Sequence, residues 1–341
     1  MLKRTLTCVL AMAVLLLSLT GCGSKPANIA TFDGGEIPAG VYILNEYNQY
    51  VNFVNYTGNS SLTAKITEDE TLEEVILADA LLSMKNYAAV ETECKRLGIE
   101  LTEEELNGIK GEAKKLFNDN KSLYEGKGIG LASVEKTGIS NSLSIKLLNK
   151  LYGEGGEMEV TLEEKNKFLN DSYRKAIVID IPLRDEEGNL LEGDKKEEAK
   201  NAAKAEFEAI ANGEKSFMEV FKDVNGKKGV DIPADTEARN YTTLINEDDT
   251  RFARDFVVNI FSDGEKTFEK PEIYEAEAST YIYMLYDVTE NNLAELLGAN
   301  LIYEMKQDDF SDYLTKKSEE INLVFDEGAL KTYGIKNIAE R

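Results

Sequence analysis

The chain has 341 residues, of which 42% are hydrophobic and 30% charged, and its formal net charge is −24. These proportions are typical of a soluble globular protein with room for about two domains, and the negative charge excludes nucleic acid as a partner. The sequence has no histidine, which excludes Ser-His-Asp and Cys-His catalysis and histidine zinc sites. We expect no cofactor and no metal ion.

The first residues are typical of a bacterial signal peptide. Two basic residues precede an apolar run from Leu6 to Leu19, which is shorter than the roughly 20 residues of a membrane-spanning helix. The run ends in "LTGC", which resembles a lipobox, in which cleavage leaves Cys22 as a lipidated N-terminus. We therefore predict a signal peptide at 1–21 and a lipidated tether at 22–27. A plain signal peptide with an unrelated cysteine is the alternative.

Lipidation of Cys22 predicts a location for the protein. Two or three acyl chains anchor a protein stably, whereas one chain binds only marginally. We expect the chain at the extracytoplasmic face of the bacterial cell membrane, held by its lipid while its acidic body is repelled by anionic headgroups. Because Cys8 leaves with the signal peptide, Cys94 is the one cysteine of the folded part, and no intramolecular disulfide is expected.

The section after the tether is predicted to be mostly helical. "NIATFDGGEIPAG" predicts a short hairpin, and an aromatic-rich helix follows from Val41 to Tyr56. Three later helices are marked by capping boxes, each a threonine with a glutamate three residues on: Thr71 and Glu74, Thr102 and Glu105, Thr161 and Glu164. The first of these helices has an apolar stripe at helical spacing, which makes Cys94 a core residue: Leu72, Ile76, Ala80, Met84, Tyr87 and Cys94.

After the helical section, the next predicted strand lies in "YRKAIVIDIPL", where the apolar run from Ala176 to Ile181 is typical of a buried strand. A helix follows whose face is Ala199, Ala203, Phe207 and Ile210, and "FARDFVVNIF" at 252–261 predicts another, with a short strand at "NYTTLI" between them. "STYIYMLYDVTE" predicts a strand that is apolar on both faces, and such a strand belongs in the middle of a sheet. From Asn291 the chain is predicted to be helical again.

Several of these segments resemble motifs of the exported foldases of the PrsA and SurA type. "ATFDGGEIPAG" is similar to their opening hairpin and "KRLGIELTEEEL" to a segment of their chaperone domain. "KAIVIDI" and "TYIYMLYD" fall where a parvulin-type prolyl isomerase domain has its first and last strands. "AKAEFEAIANGEKSFMEVFKD" and "IFSDGE" resemble segments between those strands.

The resemblance implies an α+β fold, in which a mostly helical SurA-like chaperone domain carries an inserted parvulin-like α/β domain. It places the chaperone domain at 28–173 and the parvulin-like domain at 174–290. Residues 291–341 are then a C-terminal helix that packs back on the chaperone domain.

The chain departs from the parvulin pattern at the catalytic positions. The resemblance implies a histidine in the first strand and another in the last, facing each other beneath the substrate proline. The matching residues here are Ala176 and Tyr281. Phe252 is a candidate for the proline-pocket phenylalanine, with an ordinary core residue as the alternative. Isomerisation needs no covalent chemistry, so these losses weaken the expectation of activity without removing it.

The resemblance therefore implies a membrane-anchored chaperone or foldase for unfolded, newly exported polypeptides, with prolyl isomerase activity lost. An active isomerase and a non-catalytic cell-envelope binding module are the alternatives, and homodimer formation stays open. The candidate client-binding residues are aromatics, whose apolar rings and polar tips suit adaptable contacts: Tyr42, Tyr47, Tyr50, Phe53 and Tyr56. The alternative for these residues is simple packing in the helical core.

Overall fold

The structure, a computed structural model, describes residues 26–262 and 267–339. The predicted signal peptide, Cys22 and most of the tether lie outside these residues, as does the end of "IFSDGE". The fold is α+β and mostly helical with two small antiparallel sheets, which confirms the predicted fold class. The chain divides into two compact units. Unit 1 contains the described residues up to Tyr152 and from Lys306, and unit 2 is Gly153–Met305. The sequence-based domain boundaries remain a prediction.

Unit 1 begins with the predicted hairpin and continues as helices. Strands β1 (Asn28–Phe32) and β2 (Gly35–Pro38) are antiparallel, with Thr31 opposite Glu36. Five helices follow: α1 (Ala39–Thr57), α2 (Leu72–Leu97), α3 (Glu103–Asp119), α4 (Lys121–Lys127) and α5 (Leu131–Tyr152). The sequence did not predict α4, because seven residues are too few to show a helical period.

The predicted capping boxes fix where the helices begin. At the start of α3, the backbone N–H of Glu105 donates to the Thr102 hydroxyl at 3.2 Å, and the backbone N–H of Thr102 donates to the Glu105 carboxylate at 2.7 Å. The boxes at Thr71 and Thr161 are formed in the same way. Each box satisfies backbone donors that the first turn of a helix leaves free, so a local sequence signal sets the helix start.

Unit 2 contains helices and a four-stranded sheet. Its elements are α6 (Leu162–Ser172), β3 (Arg174–Pro182), α7 (Gly193–Ala211), α8 (Phe217–Lys227), β4 (Thr243–Ile245), α9 (Arg254–Phe261), β5 (Glu272–Glu275) and β6 (Ser279–Tyr286). The strand order is β4-β3-β6-β5, and every neighbouring pair is antiparallel. All eight residues of β6 are buried, which confirms the prediction of a strand in the middle of a sheet with two covered faces.

The end of the chain completes unit 1. Helix α10 (Leu293–Glu319) is followed by β7 (Val324–Phe325), α11 (Glu327–Tyr333) and α12 (Ile335–Ile338). β7 pairs antiparallel with β1, so that the sheet of unit 1 has the order β2-β1-β7. The Tyr313 hydroxyl of α10 donates to the carboxylate of Glu93 in α2 at 2.5 Å, and Arg96 donates to the same carboxylate at 2.8 Å.

The core of unit 1 contains the predicted stripe of α2. The six residues of the stripe are each at most 7% exposed, which confirms that one face of this helix is apolar and buried. The Cys94 thiol is reduced and contacts the Leu143 carbonyl oxygen at 3.7 Å. Burial, with smaller contributions from Glu93 and Glu91, raises the pKa of Cys94 to about 11. The thiol is therefore protonated at neutral pH, as befits a core residue rather than a nucleophile.

Glu46 is a buried carboxyl group on α1. Its side chain has no exposed surface, and its Oε1 accepts a hydrogen bond from the Tyr42 hydroxyl at 2.5 Å. Its Oε2 has no hydrogen-bond partner in the part of the chain that the structure describes. Burial raises the pKa of Glu46 to about 8; the Tyr42 hydrogen bond lowers it and the charge of Glu73 raises it. Glu46 is therefore mostly protonated in the folded protein at pH 7.

We predict that Glu46→Gln removes a pH-dependent loss of stability. The pKa of Glu46 is raised on folding from 4.5 to about 8, so the folded state binds more protons than the unfolded chain between these values. The free energy of unfolding consequently falls as the pH rises through this window. At about pH 9 the variant should exceed the parent by on the order of 5 kcal/mol, measured by urea unfolding.

The matched control is Glu68→Gln, because Glu68 is exposed. This variant should follow the pH profile of the parent. A Glu46→Gln profile parallel to that of the parent across the whole window would contradict the prediction.

Candidate functional site

The two faces of the unit 2 sheet pack into separate cores. Side chains alternate along β6, so that Tyr281, Tyr283 and Leu285 share one face with Ala176 of β3. Ile282, Met284 and Tyr286 point to the opposite face, with Ile177 and Ile179 of β3. The candidate catalytic positions therefore lie on one face, which we call the tyrosine face, defined by Ala176, Tyr281, Tyr283 and Leu285.

The strand register does not set the two predicted catalytic positions opposite each other. Ala176 is paired with Leu285, and Tyr281 is paired with Asp180. Four residues of extended strand, roughly 13 Å, separate Tyr281 from the partner of Ala176. The expectation that these positions face each other is thus corrected by the register, which sequence motifs alone did not determine. Their assignment as degenerate catalytic positions remains a prediction.

A phenylalanine of α9 covers the ring of Tyr281. The rings of Phe256 and Tyr281 are stacked with centroids 4.3 Å apart and an interplanar angle of 27°. Phe256 is 0% exposed and Tyr281 is 4% exposed. The backbone N–H of Ala253 donates to the Tyr281 hydroxyl at 3.0 Å, so both the ring and the polar tip of this tyrosine have partners inside the protein.

Phe252 extends the same aromatic cluster. It is half-buried, and its ring is edge-on to Phe256 at 5.7 Å and to Tyr281 at 6.0 Å. The guanidinium group of Arg251 lies 5.6 Å from the centre of the Phe252 ring. The rings of Phe252, Phe256 and Tyr281 thus contact one another, and the protein's own side chains occupy the space above Tyr281.

Tyr283 completes the polar contacts of the tyrosine face. Its hydroxyl donates to the Glu272 carboxylate at 2.7 Å and accepts a hydrogen bond from the Asn259 amide at 3.3 Å. Burial, followed by the interaction with Glu272, raises the pKa of Tyr283 above its ordinary value. A protonated, hydrogen-bonded phenol of this kind stabilises the fold and provides no base for catalysis.

The candidate client-binding aromatics of α1 differ sharply in burial. Tyr42 is 0% exposed, so the expectation that it lines an open surface is wrong: it is in the core of unit 1, hydrogen-bonded to Glu46. Tyr47, Tyr50 and Phe53 are half-buried and pack against that core. Tyr56, near the end of α1, is 92% exposed.

Two of the half-buried tyrosines already have partners inside unit 1. The ammonium group of Lys127 lies 4.4 Å from the centre of the Tyr47 ring, and the Tyr50 hydroxyl donates to the Ser60 carbonyl oxygen at 3.1 Å. Their role in binding a client remains a prediction. Of the five aromatics, Tyr56 has the surface that a client could contact without rearrangement.

Unit 1 also has a groove that the sequence did not point to. This neutral groove lies between α1, α2 and α5 and has a volume of about 370 Å³. Its polar lining consists of amides and hydroxyls, among them Asn45, Asn48, Asn86, Ser140, Asn141 and Ser144. Its apolar lining includes Val41, Leu44, Met84, Tyr87 and Leu314. The uncharged stretch "SNSLS" at 140–144 is the sequence feature that could have indicated this groove, since the chain is otherwise rich in charge.

We predict that Phe256→Ala strongly destabilises the protein. The substitution removes a fully buried ring and its contacts with Tyr281, and such truncations cost about 3–5 kcal/mol. The measurement is the free energy of unfolding in urea. Val258→Ala on the same helix is the control, since Val258 is 52% exposed and its truncation should cost less than about 0.5 kcal/mol. Equal effects of the two substitutions would contradict the packing described.

Comparisons with known proteins found similarity at the level of solved structures. No protein-family model and no curated protein matched the sequence. Within the residues described, no helix has the length and apolar character needed to cross a membrane.

Three solved structures are similar to the chain. Foldase protein PrsA from Streptococcus pneumoniae is 18% identical, with a TM-score of 0.38, over 90% of this chain and 98% of that one. Foldase protein PrsA from Lactococcus lactis is 15% identical, with a TM-score of 0.38, over 92% and 99%. PrsA from Bacillus subtilis is 12% identical, with a TM-score of 0.29, over 91% and 98%. The chain is thus similar along most of its length to PrsA foldase proteins, the group that its sequence motifs resemble.

Proposed function

We propose that this protein is a lipid-anchored extracytoplasmic foldase that binds unfolded exported polypeptides and has no prolyl isomerase activity. The observation that carries the proposal is the stack of Phe256 on Tyr281. It occupies the sheet face where the parvulin-like motifs place the catalytic pocket, and the whole sequence has no histidine to replace what is missing.

Without a proline pocket on the tyrosine face, the activity that the architecture supports is the binding of unfolded polypeptides. Isomerisation requires a cavity that holds proline and stabilises the twisted imide, and the tyrosine face has its own rings there. Binding of unfolded chains requires only accessible surface, which unit 1 provides at Tyr56 and in the neutral groove. The proposed client is therefore recognised without chemical change.

We predict that the purified protein suppresses aggregation of a chemically unfolded client at equimolar ratio, measured by light scattering after dilution from denaturant. In a protease-coupled assay on a proline peptide, the same protein should leave the slow phase at its uncatalysed time of roughly tens of seconds. Serum albumin at the same concentration is the control for both measurements.

Two results would overturn the proposal in different ways. Catalysis of the slow phase would show that the protein is an isomerase despite its filled sheet face. Failure to suppress aggregation, together with stable capture of one partner, would favour a dedicated cell-envelope binding module.

We predict that Cys22→Ser releases the protein from the membrane. Serine has no thiol to accept the diacylglyceryl group, and without two or more acyl chains stable anchoring is lost. Membrane fractionation and labelling with a palmitate analogue measure the effect. Cys8→Ser is the matched control and should remain anchored, since Cys8 belongs to the predicted signal peptide. A labelled, membrane-bound Cys22→Ser protein would contradict the lipobox assignment.

A further inference from the structure

The neutral groove has no charged side chain among its lining residues. This is notable in a chain of which 30% is charged and whose net charge is −24. A charged ligand group placed there would lose hydration and meet no opposite charge in the lining. The groove therefore favours a ligand segment without charge.

Among the described residues, one buried polar group of the groove lining lacks a hydrogen-bond partner. The Oδ1 of Asn86 is inaccessible to solvent and has no hydrogen-bond partner within the described part of the chain. Ser140 is 9% exposed and also lines the groove. A buried acceptor without a partner is unfavourable, and the Asn86 amide has to turn toward the groove before a ligand can donate to its Oδ1.

The chemistry of the lining matches a polypeptide main chain. Asparagine amides and serine hydroxyls both donate and accept hydrogen bonds, and an extended main chain presents an N–H donor and a C=O acceptor at almost every residue. Val41, Leu44 and Met84 belong to the apolar part of the lining and are each at most 4% exposed. The volume of about 370 Å³ is near the lower end of ligand pockets, roughly 300–1,000 Å³, and suits a short segment rather than a folded domain.

We infer that the neutral groove binds the main chain of an extended, uncharged polypeptide segment. This inference rests on the proposed function and names its binding site and its substrate class. A neutral oligosaccharide would also use amides and hydroxyls, but sugar rings stack on exposed aromatic faces. Tyr87, the aromatic residue of the lining, is only 7% exposed, which favours the peptide.

The test changes the charge of the groove without changing its shape. Asn48→Asp and Asn141→Asp are combined in one variant, since both residues are exposed at the groove and Asp has nearly the shape of Asn. Asn107→Asp with Asn118→Asp is the matched control, because these exposed residues of α3 are not part of the lining. Circular dichroism verifies that both variants fold.

The probes are a fluorescent, end-capped peptide of alternating valine and serine, the same peptide with lysine in place of serine, and cellohexaose. Fluorescence anisotropy measures peptide binding, and cellohexaose is added as a competitor. The groove variant should bind the neutral peptide about tenfold more weakly than the parent, because each substitution removes an amide donor. It should bind the lysine peptide more tightly, and the control variant should bind the neutral peptide as the parent does.

The outcomes separate this inference from the proposed function. If the parent suppresses aggregation but the groove variant binds the neutral peptide as tightly as the control, the inference fails and the proposed function stands. If cellohexaose displaces the peptide from the parent, the groove is a sugar site and the inference fails. If the parent neither suppresses aggregation nor binds the peptide, the proposed function fails as well.

Discussion

Unit 2 depends on β6 being apolar on both faces. One face of this strand packs with Ile177 and Ile179 into one core, and the other packs with Phe256 of α9 into a second. Since β6 also hydrogen-bonds through its backbone to β3 on one side and β5 on the other, it is held by two cores and two strand partners at once. An open pocket against either face of β6 would therefore require residues of that core to lose buried contacts.

The stacked contact between Phe256 and Tyr281 on this strand is also the contact on which the proposed loss of isomerase activity rests. An active site must keep a cavity and tolerate unsatisfied or strained groups, whereas a core gains from filling every space. Tyr281 meets the second condition: its ring is stacked on Phe256, and its hydroxyl accepts a backbone hydrogen bond.

The sequence predicted those features that local signals determine. The stripe from Leu72 to Cys94, the capping boxes and the two-sided β6 all follow from spacing within one segment. β5 and β7 were missed because they have only four and two residues, none of them fully buried, and β7 is in addition defined by its pairing with the distant β1. Burial of Tyr42 and exposure of Tyr56 were also not predictable, since both are aromatics of one helix and only tertiary packing distinguishes them. The apolar spacing within "FARDFVVNIF" is typical of a helix with a buried face that includes Phe256. Spacing within one segment does not reveal that its ring stacks on Tyr281.

The lack of histidine affects more than catalysis. Histidine is the side chain whose ordinary pKa gives a change of charge between pH 5 and 8, and this chain has none. Glu46, which does titrate near that range, is enclosed in the core of unit 1. The surface charge is therefore almost independent of proton concentration around neutrality. The protein would consequently keep the same electrostatic repulsion from other acidic molecules across this pH range.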